Sequence, residues 1–227
     1  MQKIVLVTGA SKGIGATLCK FLIEKNYKVI GVYNNTIIDN ELIDSYKCDI
    51  SDEKQIQDLF KYIKNKYNKI DILINCAAIS LDSNFYEKTK EEFMKVLEVN
   101  LVGTFLMCKY ASLIMNEGVI VNVTSTNGDN TYTELSIDYD ASKAGLNNMT
   151  KSLSMILSNI KVCALMPNWV DTDTTLSIDN DYLKKEMKRI GQTKLIKKES
   201  VAKKIIEIIE NDSIKSGSII RMEDGNE

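Results

Sequence analysis

The sequence predicts an α/β fold, a doubly wound parallel sheet of about seven strands flanked by helices. Two observations carry this. Short apolar runs alternate with longer stretches of helical periodicity through the whole 227-residue chain. The runs are nearly continuous rather than alternating, which suits parallel strands covered on both faces. In addition, four of the runs end in polar or glycine-rich segments, and open α/β sheets bind ligands at the carboxyl ends of their strands.

The elements follow in order. "KIVLV" (Lys3 to Val7) reads as a buried strand, "YKVIGVY" (Tyr27 to Tyr33) as a second and "SYKCD" (Ser45 to Asp49) as a short third. "DILIN" (Asp71 to Asn75), "GVIVNV" (Gly118 to Val123), "IKVCALM" (Ile160 to Met166) and "SGSIIRM" (Ser216 to Met222) complete the set. A helix is expected from Ile14 to Lys25, with Leu18, Phe21 and Leu22 on its apolar side. Asp52-x-x-Gln55 resembles a capping box opening a helix to Lys66, and Thr89-x-x-Glu92 another, opening a long helical region towards Met115. Tyr139 to Leu157 and the amphipathic "SVAKKIIEIIE" (Ser200 to Glu210) are further helices. Repeats and low-complexity linkers are absent and Pro167 is the sole proline, so residues 1–227 read as a single domain.

Composition narrows the function. A hydrophobic fraction of 44% suffices for a large core, and a net charge of −2 gives no basic field for nucleic acid. The apolar N-terminal run is too short for a membrane span and lacks the layout of a signal peptide, which points to a soluble, cytoplasmic protein. The five cysteines are scattered without a C-x2-C pair, so neither a zinc site nor a disulfide framework is supported. Histidine is absent. Acid-base work would therefore fall to Tyr, Lys, Asp, Glu or a cofactor.

The strand ends are "TGASKGIG" (Thr8 to Gly15), "NCAA" (Asn75 to Ala78), "TSTNG" (Thr124 to Gly128) and "PNWVDT" (Pro167 to Thr172). In the first, Gly9, Gly13 and Gly15 allow a tight turn and close backbone approach to a phosphate, with a helix N-terminus behind it. A plain βα turn is the alternative. "YDASKAG" (Tyr139 to Gly145) sets Tyr139 and Lys143 one helical turn apart on one face. An ammonium beside a phenol lowers the phenol's pKa. Two surface residues on an ordinary helix would show the same spacing.

Taken together, in this order and spacing, "TGASKGIG", "NCAA", "VNLVG" (Val99 to Gly103), "NVTSTNG" (Asn122 to Gly128), "YDASKAG" and "MPNWVDT" (Met166 to Thr172) resemble the motifs of the short-chain dehydrogenase/reductase family. The resemblance covers nearly the whole chain and is similar to that of 3-oxoacyl-carrier-protein reductases. It implies a Rossmann-like fold. It also implies hydride transfer between a nicotinamide cofactor and a carbonyl or secondary alcohol, with a 3-oxoacyl thioester as one candidate substrate. It assigns a catalytic tetrad of Asn100, Ser125, Tyr139 and Lys143. Tyr139 would donate the proton, with its pKa lowered by Lys143 together with the positive ring of the oxidised cofactor. Ser125 would stabilise the developing oxyanion. Asn100 would hold a water leading to Lys143, or else merely bond backbone at a helix kink. Cofactor contacts carried over are Gly9, Ser11, Lys12, Gly13, Ile14 and Gly15 in the glycine loop, then Asn34, Asp49 and Ile50 on the adenosine side. Asn75, Ala77, Tyr139, Lys143, Pro167, Val170 and Thr172 follow on the nicotinamide side.

"VYNN" (Val32 to Asn35) has no acid at the end of the second strand, and Lys12 is in reach of a 2′-phosphate. NADP is therefore expected, with NAD the alternative. No metal is called for. Cys76, Ala78 and Asn168 depart from the family's residues, the stretch Asn34 to Asp44 hardly accommodates the usual helix, and the tail "EDGNE" only partly matches a D-G-G ending. Substrate choice is expected from a loop region at about 168–198, where Trp169, Leu176, Ile178, Tyr182, Leu183 and Met187 form either a lid or a core-packed helix. Lys184, Lys185, Lys188 and Arg189 would suit an acidic carrier protein or form a solvated helix face. A small-molecule substrate, free or carrier-bound, and a homodimer or homotetramer are expected partners. An NAD-dependent sugar or polyol dehydrogenase is the runner-up reading, and a non-catalytic dinucleotide sensor or scaffold the alternative of another class.

Overall fold

The computed structural model describes residues 2–223. Residues 224–227, and with them most of the "EDGNE" tail, lie outside the described part. Seven strands form one parallel sheet: β1 (Ile4–Thr8), β2 (Lys28–Tyr33), β3 (Asp44–Lys47), β4 (Ile72–Asn75), β5 (Gly118–Val123), β6 (Ile160–Pro167) and β7 (Ile219–Met222). Their order is β3-β2-β1-β4-β5-β6-β7. The direction of winding reverses between β1 and β4, so a crevice opens there at the strands' carboxyl ends.

The helices are α1 (Gly13–Glu24), α2 (Glu53–Tyr67), α3 (Lys90–Leu97), α4 (Thr104–Ser112), α5 (Ile137–Ile156), α6 (Asp173–Leu176), α7 (Asn180–Arg189) and α8 (Lys198–Glu210). They cover both faces of the sheet, and each face has its own core. Val5 and Val7 of β1 join Leu18 and Leu22 of α1 and Ile205 of α8 on one side. Leu6, between them in sequence, joins Ile56 and Leu59 of α2 and Met107 of α4 on the other. Successive strand residues point to opposite faces, so a strand buried twice must be apolar throughout. Four of the cysteines, Cys19, Cys48, Cys108 and Cys163, are buried, as expected of small core residues.

Local chemistry explains several ends. The Thr89–Glu92 capping box forms in full. Its expected counterpart is only half made. Asp52 accepts from the Lys54 and Gln55 N–H groups, while Gln55 Oε1 accepts the Asp49 N–H instead of the Asp52 N–H and Gln55 Nε2 donates to Asp52 Oδ2 at 2.9 Å. The helical region from Thr89 is not one α-helix. A π-helical turn, Glu98–Gly103, separates α3 from α4. Between β2 and β3 there is no helix, as the short connection predicts.

Candidate active site

A cleft follows the carboxyl ends of the strands and has two halves. The first, of about 440 Å³, is walled by the glycine loop, the ends of β2 and β3, and the segment after β4. Its shape depends on residues without side chains. Gly9 has φ +66°, and a Cβ there would stand 2.9 Å from the Ala77 backbone. A Cβ on Gly15 would stand 2.2 Å from the Gly9 carbonyl oxygen. Neither position tolerates a larger residue without moving the loop. Thr8, fully buried, fixes the other side: its Oγ1 accepts the N–H groups of Cys76 at 3.0 Å and Ala77 at 3.1 Å. No side chain caps the start of α1. This is a cradle for a diphosphate, and a dinucleotide cofactor fits it.

Gly9, Ser11, Lys12, Gly13, Ile14 and Gly15 all line this half, as do Asn34, Asp49, Ile50 and Ala77. Lys12 is exposed. Asp49 accepts from the Ser51 hydroxyl and N–H, which with nearby Lys95 and Asn34 hold its carboxyl below the usual range in spite of partial burial.

The second half, of about 370 Å³, is lined by Ser125, Tyr139 and Lys143 and by the β6 end with Pro167, Val170 and Thr172. Lys143 is 2% exposed; its Nζ donates to the Val123 carbonyl at 2.9 Å and lies 5.3 Å from the centroid of the Tyr139 ring. Burial holds the Lys143 ammonium down to about 8. Burial likewise pushes the Tyr139 phenol up to about 12, against the downward pull of a hydrogen bond with Ser125. Within the protein alone desolvation dominates at the phenol, and one of the lysine's protons is engaged by a backbone carbonyl; the expected lowering calls on Lys143 together with the cofactor's positive ring, which is no part of this balance. Cys76, at the junction of the two halves, is pushed up to about 11 by burial, so it is a neutral thiol.

Two of the expected residues do not line either half. Asn75 points away from the cleft. It is 3% exposed, and its Nδ2 donates to Asn122 Oδ1 at 2.9 Å and to Cys108 Sγ at 3.3 Å in the core beneath the sheet. The residues that follow it, Cys76 to Ile79, line the cavity instead. Asn100 sits in the π-helical turn; its Oδ1 accepts the Ile79 N–H and its Nδ2 donates to the Ile79 carbonyl, both at 2.8 Å, and to Ser142 Oγ at 3.1 Å. The backbone bonding at a helix irregularity expected of Asn100 is present.

The sequence reading missed Ser80, Asp82 and Asn127, which also line the second half. Asp82 Oδ1 accepts from Ser80 Oγ at 2.5 Å and Ser136 Oγ at 2.7 Å. Asn127 stands within "TSTNG" itself, while Ser80 and Asp82 closely follow "NCAA", and that adjacency was the available signal. Asn168 hydrogen-bonds Thr126 Oγ1, and it is not among the described residues with positive φ, so a glycine is not required there. Of the expected lid residues, Leu183 is buried, whereas Leu176 is 63% exposed. Lys185 pairs with Glu134 at 3.1 Å, and Arg189 pairs with Glu186 at 2.8 Å and donates to the Tyr132 carbonyl, which draws two of the four expected cations into internal contacts.

A family model described as short chain dehydrogenase matches residues 3–183. The chain belongs to the short-chain dehydrogenase/reductase family. It is 34% identical over 238 residues to carbonyl reductase family member 4 of Xenopus laevis, covering 99% of this chain and 98% of that one. It is 30% identical over 240 residues to a 3-oxoacyl-(acyl-carrier-protein) reductase of Thermotoga maritima, covering 98% and 97%. Among solved structures, a dehydrogenase/reductase from Sinorhizobium meliloti superposes with TM-score 0.91 at 25% identity, covering 99% of this chain and 94% of that one. ElxO with NADP bound superposes with TM-score 0.82 at 26% identity, covering 100% and 99%. As a short-chain dehydrogenase/reductase the protein is an oxidoreductase acting on carbonyl or alcohol groups with a nicotinamide cofactor. Among its described residues no helix is long and apolar enough to cross a membrane.

Proposed function

We propose that this chain is an NADP-dependent reductase of small carbonyl compounds, working as one unit over residues 1–227 with its substrate loop at about 168–198. The observation that carries the reading is the convergence of Ser125, Tyr139 and Lys143 on one cavity continuous with the glycine cradle. When bound, the cofactor supplies the hydride. Tyr139, with its phenol up at about 12, holds its proton at neutral pH and donates it to the substrate oxygen. Ser125 donates a hydrogen bond to that oxygen as charge develops. Lys143 contributes positive charge beside the phenol, and Asn100 keeps the wall at Ile79 in place. The preference for NADP rests on the exposed Lys12 and on the neutral Asn34, Asn35 and Thr36 where an acid would oppose a 2′-phosphate. Exposed apolar residues on α4 and α5, among them Phe105, Ile137 and Met155, favour a homo-oligomer.

A second reading, oxidation of a sugar or polyol, is favoured by the Asp82 carboxylate with its two serines at the cavity wall. A carrier-bound 3-oxoacyl thioester is less favoured, since Lys185 and Arg189 are engaged within the chain. The test is to titrate NADPH and NADH in parallel while following the fluorescence of the single tryptophan, Trp169, which lines the second half of the cleft. Ethyl acetoacetate reduction and polyol oxidation are then assayed with the tighter cofactor. NADPH binding with ketone reduction supports the proposal. NADH binding with polyol oxidation favours the second reading. Binding with no turnover on either panel points to a dinucleotide sensor.

A further inference from the structure

We propose that Lys88 and Asp138 are positioning residues for Tyr139: a buried ion pair that locks the first turn of α5 to the wall of the substrate cavity. Lys88 Nζ and Asp138 Oδ2 lie 2.9 Å apart, with side chains 5% and 0% exposed. They join segments 50 residues apart in sequence. Lys88 also donates to the Leu81 carbonyl, and the other Asp138 oxygen accepts the backbone N–H of Tyr139 at 2.9 Å. A continuous path of charge-assisted bonds therefore runs from Leu81 through Lys88 and Asp138 to the residue bearing the phenol.

The helix start explains why an acid stands at position 138. The N-cap residue of α5, Ser136, makes no side-chain cap bond. Its hydroxyl is turned to Asp82 instead. The first turn of a helix has free N–H groups and favours negative charge. Asp138 takes one of those groups, and Lys88 neutralises it from across the gap. The stretch between Leu81 and Lys88 includes Asp82, which lines the cavity, so the same pair braces the wall facing the phenol. A desolvated ion pair seldom stabilises a fold more than a packed apolar pair would. Holding a geometry is the role left for it, and small displacements of a reacting group lower rates steeply.

The consequence for turnover rests on the reading of Tyr139 as the proton donor; the bracing itself does not. The deciding variant is Lys88→Met combined with Asp138→Asn, which buries no charge and keeps an oxygen for the Tyr139 N–H. Backbone hydrogen exchange of the full chain is followed by mass spectrometry, with peptides of β5 as the internal reference. The expected result is exchange roughly tenfold faster in peptides 79–88 and 137–143 than in the wild type, with β5 unchanged. NADPH affinity, read by Trp169 quenching, should stay within about threefold, while kcat for ethyl acetoacetate falls by about tenfold or more and KM changes less. A speed-up shared evenly with β5, or no speed-up at all, overturns the proposal, as does wild-type kcat in the double variant. If the wild type reduces no carbonyl compound, the exchange pattern alone decides the bracing, and it is the reductase reading that falls.

Discussion

The two halves of the cleft are made of different material. The glycine-loop half is shaped by main chain: Gly9 and Gly15 pressed against neighbouring backbone, and Thr8 pinning the turn after β4. The Tyr139 half is shaped by side chains brought from the segment after β4, from the end of β5, from α5 and from the segment after β6. A main-chain cradle fails all at once when one atom is added. A side-chain constellation fails by degrees, each residue according to its task. In the function proposed above, the first half would recognise what all dinucleotides share, and the second would decide which substrate is turned over.

The sharpest way to separate the halves is Tyr139→Phe. Removing a general acid typically costs about 10²- to 10⁴-fold. We expect kcat for ketone reduction to fall by that range with NADPH affinity kept; unchanged turnover would remove Tyr139 from the mechanism. Gly15→Ala should do the converse, weakening NADPH binding by roughly tenfold or more, since the added carbon must displace the Gly9 carbonyl. A calorimetric titration giving wild-type affinity would mean that the cradle does not hold the phosphates.

Asn100→Ala should lower stability by about 1–3 kcal/mol, because the Ile79 N–H and carbonyl lose their partners, and denaturant midpoints would measure it. The pH profile gives a smaller effect. Lys143 is charged below about 8, and Tyr139 keeps its proton to about 12. Reduction should therefore hold below pH 8 and decline above it. Lys143's own contribution to stability moves the other way. Its folded form releases its proton at about 8 and its unfolded form near 10.5, so between these values this lysine alone makes stability rise with pH. The buried Cys19, Cys48, Cys76 and Cys108 thiols, raised from 9.0 to about 11 or 12, make it fall above about 9. A reduction rate that climbs through pH 8 would contradict the role given to the ammonium. Smallest of all, Lys12→Ala should cut the margin of NADPH over NADH by about tenfold, the worth of one charge-assisted contact at an exposed site.

Much of this was legible in the sequence, for local reasons. β5 runs from Gly118 to Val123 as read, and the Thr89–Glu92 box closes as its spacing predicts. The fold follows from strand periodicity and the turn chemistry between strands. What the sequence did not disclose depends on direction or distance. Asn75 was assigned to the cofactor by its motif, yet it follows Leu73 at a spacing of two and so shares that residue's face, towards α4. The Lys88–Asp138 pair leaves no local pattern, since its two members stand 50 residues apart and only Asp138 lies in a helix. The shift at Tyr139 depends on how much water the fold removes, and the Tyr-Lys spacing is silent about that.

The π-helical turn at Glu98–Gly103 has a consequence for how this protein can vary. A helix that fits one more residue into a turn is sensitive to counting rather than to identity. Many substitutions between Thr89 and Ser112 should be neutral, while losing any single residue there would let the helix rewind regularly, swing Asn100 off Ile79 and carry Gly103 away from the Ile50 carbonyl it packs against. Length, in this segment, is the inherited trait. A library of one-residue deletions should therefore show a sharp trough across α3 and α4 where a substitution library shows tolerance.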